Sequence, residues 1–254
     1  QSTIKGDINE TSNKVELLVR VDALKTEKQI FENISVRLEN IADKIQLTGR
    51  TQMHDHKADM LNIFLSVEAL KDIVNAKLIW QNNEDITNAG EVSTQTSLYK
   101  KDKSIEAHTI LQPSQVIISD SVWNIRKSDL YFHSDSLISI NNFLFENERQ
   151  FIHIDGKASR SQQDSLIVST NDLNLDYIMQ LLRLRGIKFG GSITGKLKLF
   201  SLLKEPIFLG NLDVEDFSLN DKIIADAVVS STWDKTNSQL LINGDFTNKK
   251  QEVV

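Results

Sequence analysis

The chain has 254 residues, 40% of them hydrophobic and 25% charged, with a formal net charge of −6, 10 Gly, 2 Pro and no Cys. No stretch approaches the roughly 18 consecutive apolar residues of a membrane-spanning helix, and the composition is too apolar for a disordered chain. Without Cys there is neither a disulfide framework nor a thiolate metal site, and the acidic balance argues against nucleic acid, whose phosphates need clustered Lys and Arg.

Gln1 is followed by neither a charged n-region nor an apolar h-region, and the chain stops soon after a strand-like run, so the sequence reads as a piece of something longer. Its dominant pattern is a period of two, which sends every second side chain to one face of a sheet. Val15, Leu17, Val19 and Val21 alternate around Glu16, Leu18 and Arg20. Over 30–45 two periods compete. Ile30, Ile34, Leu38, Ile41 and Ile45 fall at helical spacings, whereas Ile34, Val36 and Leu38 alternate. A strand is expected there, because the neighbouring segments are strands. Leu61, Ile63, Leu65 and Val67 alternate again, and 66–76 carries the same ambiguity. Asn82-Asn83-Glu84-Asp85 reads as a turn, and shorter alternating runs follow at 116–118, 130–132 and 152–154, then a turn at Ser161-Gln162-Gln163-Asp164.

One helix is predicted, at about 174–185. Asn174 can cap it, Asp176 sits in the first turn, and Ile178, Leu181, Leu182 and Leu184 form the stripe. Arg183 and Arg185 suit the C-terminal dipole and Gly186 supplies the stop. Beyond it, Ile193, Gly195, Leu197 and Leu199 are separated by Thr194, Lys196 and Lys198. Runs at 208–214 and 223–229 lead to a turn at Asp234-Lys235-Thr236-Asn237, after which Leu240, Ile242, Gly244 and Phe246 face away from Asn243 and Asp245. Strands with one dry and one wet face suit antiparallel sheets, so the fold expected is all-β.

With so few Gly and Pro, the reversals must use Asn, Asp, Ser and charged residues. Seven of the ten glycines follow residue 150, which points to a change in local curvature, since Gly within a strand often marks a bulge or bend. Ile45-Gln46-Leu47-Thr48-Gly49-Arg50 and Ile152-His153-Ile154-Asp155-Gly156-Lys157 share one form, which Leu240-Leu241-Ile242-Asn243-Gly244-Asp245 nearly repeats. The intervals are unequal, so this is no fixed-period solenoid; it suggests a strand ending used again along one sheet.

Candidates for chemistry are few. His54 and His56 of His54-Asp55-His56 would share a strand face and could hold a metal with one further ligand, but the polar run 53–59 reads as an exposed turn and no third ligand is spaced for it. His108, His133 and His153 stand singly on strand-like runs. There is no Gly-x-Ser-x-Gly elbow. A glycosidase carboxylate pair would need an aromatic platform, and aromatics are only 7%. Gly190-Gly191-x-Ile193-x-Gly195 lacks the Lys-Ser/Thr of a phosphate loop and opens a strand instead of a helix. Arg183, Arg185 and Lys188 suit a solvated helix end, or a lipid headgroup. What remains is the aliphatic face. It is either the core of a sandwich or helix-covered sheet, or the wall of an open trough for acyl chains. An outer-membrane barrel would show aromatic girdles, for which 3 Trp and 3 Tyr are too few.

Residues 105–246 resemble TamB-type proteins of the Bacteroidetes envelope, within the wider AsmA-like group of bridge-shaped lipid-transfer proteins. The resemblance runs through Leu111-Gln112-Pro113-Ser114, Val122-Trp123, Ile140-Asn141-Asn142-Phe143 and Gln150-Phe151-Ile152-His153-Ile154-Asp155-Gly156-Lys157-Ala158-Ser159. It continues through the 173–184 segment, Gly191-Ser192-Ile193-Thr194-Gly195, Pro206, Gly210-Asn211-Leu212-Asp213-Val214 and 227–234, whereas 1–104 match only in strand character. The order and spacing carry it, not any one motif.

The resemblance implies a long, curled sheet, a β-taco, of which 1–254 would be a single elongated internal segment. It implies a periplasmic place in a protein anchored in the inner membrane, with phospholipid on the concave side. It also implies a role in outer-membrane assembly with a TamA-like barrel, the anchor and the barrel-binding end lying outside this segment. It brings no cofactor and no catalytic residue; Pro113 is implied at a strand entry, and Gly156 and Gly195 at strand bends. About sixteen strands, some 4.8 Å apart, would span roughly 75 Å. Residues expected to line the groove are Val116, Ile118, Ile152, Ile154, Ile193, Leu197, Leu199, Leu212, Val214, Leu240, Ile242 and Phe246. The competing expectation is a scaffold that holds barrel precursors by strand pairing without carrying lipid.

Overall fold

A computed structural model describes residues 2–9, 14–26, 29–54, 60–134, 136–175, 188–234 and 239–247. They form two compact units, Gln1–Lys127 and Ser128–Val254. The expected all-β fold is what is found: 18 strands, and no helix among the described residues.

The first unit holds β1 (Ser2–Asn9), β2 (Lys14–Lys25), β3 (Ile30–Ile41), β4 (Lys44–His54), β5 (Met60–Leu70), β6 (Ile73–Asn82), β7 (Ala89–Lys101), β8 (Ser104–Leu111), β9 (Ser114–Ile118) and β10 (Ser121–Ile125). From β1 to β8 each strand pairs antiparallel with the next. The ambiguous 30–45 segment is a strand because Ile34, Val36 and Leu38 stand opposite Val21, Val19 and Leu17. A helical stripe there would have no apolar partner at its own spacing. β8 follows β7 only as far as Thr94, and β9 takes over at Glu91. Gln112 still donates to the Ser93 carbonyl, but Pro113 has no N–H to continue the ladder. The break therefore falls at Pro113, which enters β9 as expected.

The second unit holds β11 (Ser128–Phe132), β12 (Ile138–Asn147), β13 (Gln150–Ala158), β14 (Ser165–Asn174), β15 (Phe189–Phe200), β16 (Ile207–Leu219), β17 (Lys222–Asp234) and β18 (Gln239–Thr247), each antiparallel to the next. Of the helix expected at 174–185, residues 176–185 lie outside the described residues. Asn174, expected as its cap, is the last residue of β14 and pairs with Ser192.

Tight reversals use the chemistry that the scarcity of Gly and Pro requires. Ala42-Asp43, Lys71-Asp72, Asp102-Lys103, Ser119-Asp120, Glu148-Arg149 and Asn220-Asp221 each connect paired strands through two residues. In every one the first residue is left-handed, and in Ser119-Asp120 and Asn220-Asp221 both are.

A bulge recurs on alternate strands of the second unit. Asn142 of β12, Asp172 of β14 and Asp216 of β16 are left-handed, with φ of 54°, 46° and 50°. Each is the extra residue facing a single one on the next strand: Asp155, Thr194 and Asp226. The displaced N–H donates to that residue's side chain each time, to Asp155 Oδ2 at 3.0 Å, Thr194 Oγ1 at 2.9 Å and Asp226 Oδ1 at 2.9 Å. The bulge thus satisfies its own displaced donor. A fourth lies in the first unit, where Asn33 (φ 52°) and Ile34 oppose Thr51. Gly156 and Gly195 sit one residue beyond Asp155 and Thr194, in keeping with their expected place at bends. The repeated strand ending is not found. Gly49 and Gly244 lie inside β4 and β18, and neither has a positive φ.

Candidate functional site

Register, not proximity in sequence, assembles the apolar faces. In the second unit one row runs Phe145, Ile152, Thr170, Gly195, Leu212, Val229 and Gly244 across β12 to β18. The next runs Phe143, Ile154, Val168, Leu197, Gly210, Ser231 and Ile242. Leu199 stands between Leu166 and Phe208, Ile193 between Leu173 and Val214, and Val214 leads through Ala227 to Phe246. Leu240 closes the set opposite Trp233. The ten expected lining residues of this unit therefore share one face. Thr194, Lys196, Lys198, Asn211, Asp213, Asn243 and Asp245 occupy the other.

Val116 and Ile118 belong to the first unit. Val116 pairs with Gly90 on one side and buried Trp123 on the other, and Ile118 pairs with Ser121. Their face continues through Trp80, Leu78, Leu65, Leu47, Val36 and Val19. Gly90 is required there: a Cβ would lie 2.3 Å from the Trp80 ring, so only a bare backbone lets the indole lie across β7.

Burial grades along these faces. In the second unit Leu175, Val214 and Ala227 form a dry cluster, packed by Ile193, Phe217 and Val229. Phe217 also stacks on Phe189 at 6.0 Å and meets Phe246 at a tilt, 5.9 Å between ring centroids. Yet Ile242, on the same face, is 66% exposed, and Phe208 and Phe246 are also exposed. In the first unit Val116 and Trp123 are the only buried hydrophobic residues among those described, while Ile4, Ile8, Ile45 and Ile105 lie open. The interior of a sealed sandwich would bury such residues almost completely. Chemically such a face offers mainly dispersion contacts and release of water.

The wet faces are tied by exposed ion pairs, among them Arg37 with Glu16 (2.9 Å) and Glu39 (3.2 Å), Lys44 with Glu68 (2.9 Å) and Lys77 with Glu91 (2.6 Å). Of the His54-Asp55-His56 group only His54 is described; it lies 3.6 Å from Glu32. His153 meets Asn142 Oδ1 at 3.0 Å on the polar side of the bulge. No group of His, Asp and Glu among the described residues could hold a metal ion. No helix among them is long and apolar enough to cross a membrane, which says nothing of β-barrels.

Phe143, Phe145, Leu166, Val168, Leu173 and Phe217 escape the sequence reading although they share the face. For Phe143, Leu173 and Phe217 the signal is a spacing of three across a bulge, from Ile140, Thr170 and Val214, while Phe145, Leu166 and Val168 continue the same face at a spacing of two. No protein-family model, no curated protein and no solved structure matches the chain.

Proposed function

We propose that the chain is a non-catalytic, TamB-like segment of the cell envelope that shields phospholipid acyl chains along its apolar sheet faces. The reading places it in the periplasm and in outer-membrane biogenesis, with a TamA-like barrel and an inner-membrane anchor engaged by regions beyond this segment. One observation carries the hydrocarbon part: ten dispersed residues of the second unit converge on one face, and part of that face stays uncovered. Acyl chains need no hydrogen bonds, so a predominantly aliphatic face can hold them at many registers. The polar reverse face gives the sheet a wet side.

Photo-crosslinking amino acids at Leu197, Leu212 and Ile242, with Lys198 as the outward-facing control, test the reading. Capture of labelled phospholipid by the three and not by position 198 is expected. Equal capture everywhere, or none, overturns it. Capture of an extended polypeptide in place of lipid would favour the strand-pairing scaffold.

A further inference from the structure

We propose that the first unit carries, on its polar face, a binding site for an acidic saccharide. This goes beyond the lipid reading and uses the opposite side of the sheet. Arg50 of β4, Phe64 of β5 and Ile79 of β6 stand in one row across the strands, where Phe64 and Ile79 set an apolar strip into a largely polar face. The adjacent row is Gln52, Asn62 and Gln81. Hydrogen bonds pass along it: Asn33 Nδ2 donates to Gln52 Oε1 at 2.6 Å, Gln52 Nε2 to Asn62 Oδ1 at 3.1 Å, and Asn62 Nδ2 reaches the Gln81 carbonyl at a long 3.5 Å. The Asn33 bulge lies beside this row, and these residues surround a surface depression of about 620 Å³.

Three chemical features meet there. The Arg50 guanidinium lies over the Phe64 ring, 5.5 Å from its centroid. Arg37, Lys44 and Lys77 on the same face are paired with carboxylates, but Arg50 has no ion pair among the described residues. Stacking fixes its plane and leaves the N–H edge for a carboxylate, which such a fork grips in two places. The amide row offers donors and acceptors together, as a run of sugar hydroxyls demands. Its members are spaced by one strand separation, about 4.8 Å, close to the length of one pyranose ring. The Phe64–Ile79 strip supplies the apolar floor on which ring C–H groups rest. A uronic-acid oligomer satisfies all three; a neutral glycan leaves Arg50 unused.

Calorimetric titration of the full chain with tetragalacturonate, and with neutral maltotetraose for comparison, tests this. Saturable binding of the acidic oligomer, weaker binding of the neutral one, and a loss of about tenfold or more in Arg50→Gln are expected. Asn62→Ala and Gln52→Ala should each weaken binding several-fold, and Arg37→Gln should not. Gln52→Ala serves if Arg50→Gln fails to fold. Absence of binding by tetragalacturonate overturns the proposal, as does equal binding of maltotetraose or an equal loss in Arg37→Gln. Leu197→Asp leaves this affinity intact, so the saccharide site and the lipid face fail separately.

Discussion

At Gly156 the backbone has φ +120°, and a Cβ would lie 2.4 Å from the Ser165 carbonyl oxygen of β14. Both facts forbid a side chain, one through the conformation and one through the neighbouring strand. Gly156→Ala should therefore destabilise the second unit by at least about 1–3 kcal/mol, read as a lower denaturant midpoint. Gly49, which the sequence presents in the same pattern, has an ordinary φ and no atom nearer than Leu65 Cβ at 3.8 Å. Gly49→Ala should be neutral or mildly stabilising, by about 0.5 kcal/mol or less. The pair shows why the repeat misled: the letters coincide, but Gly156 directly adjoins the residue that faces its bulge, whereas the Asn33 bulge faces Thr51, two residues from Gly49. Nothing in a six-residue window reveals what the partner strand does.

At the scale of the element, what was legible follows from regular alternation. Strands such as β2, β5, β15 and β18 alternate with a period of two, and that alternation is enough to place them. β12, β14 and β16 each contain an extra residue, so their apolar positions shift phase partway, and the first two escaped the reading entirely. The device that restores the phase is the donor–acceptor pair at the bulge. Asp155→Ala removes the acceptor for the Asn142 N–H and should cost about 1 kcal/mol, with faster amide hydrogen exchange at Asn142 as its local mark. Asp155→Asn keeps a side-chain oxygen and should lose less. The exposed ion pairs should matter far less than the bulges. Arg37 is about half exposed (49%), and its bonds to Glu16 and Glu39 are screened by water, so Arg37→Ala should cost about 1 kcal/mol or less and fade as salt is raised.

For the whole molecule the decisive question is what meets the apolar faces where they are left open. Sequence periodicity could not choose between a plugged core and a wall for guests, because either requires one apolar face. Burial separates them locally: Val214 and Ala227 are dry, while Ile242 is not. If hydrocarbon completes this surface, a short-chain phospholipid held below its micelle concentration should bind the folded chain in preference to the unfolded one. Its thermal midpoint should then rise, by an amount equivalent to about 2.7 kcal/mol at a hundredfold excess over Kd. Ile242→Asp places a carboxylate where a methyl-rich chain would lie, at a residue exposed enough for the substitution to leave folding intact. It should abolish the lipid-dependent rise with little change in the lipid-free midpoint, whereas Lys198→Asp on the wet face should preserve it. An equal rise in both variants would place the lipid elsewhere on the molecule, because only one of the two residues shares the face with Leu197 and Ile154.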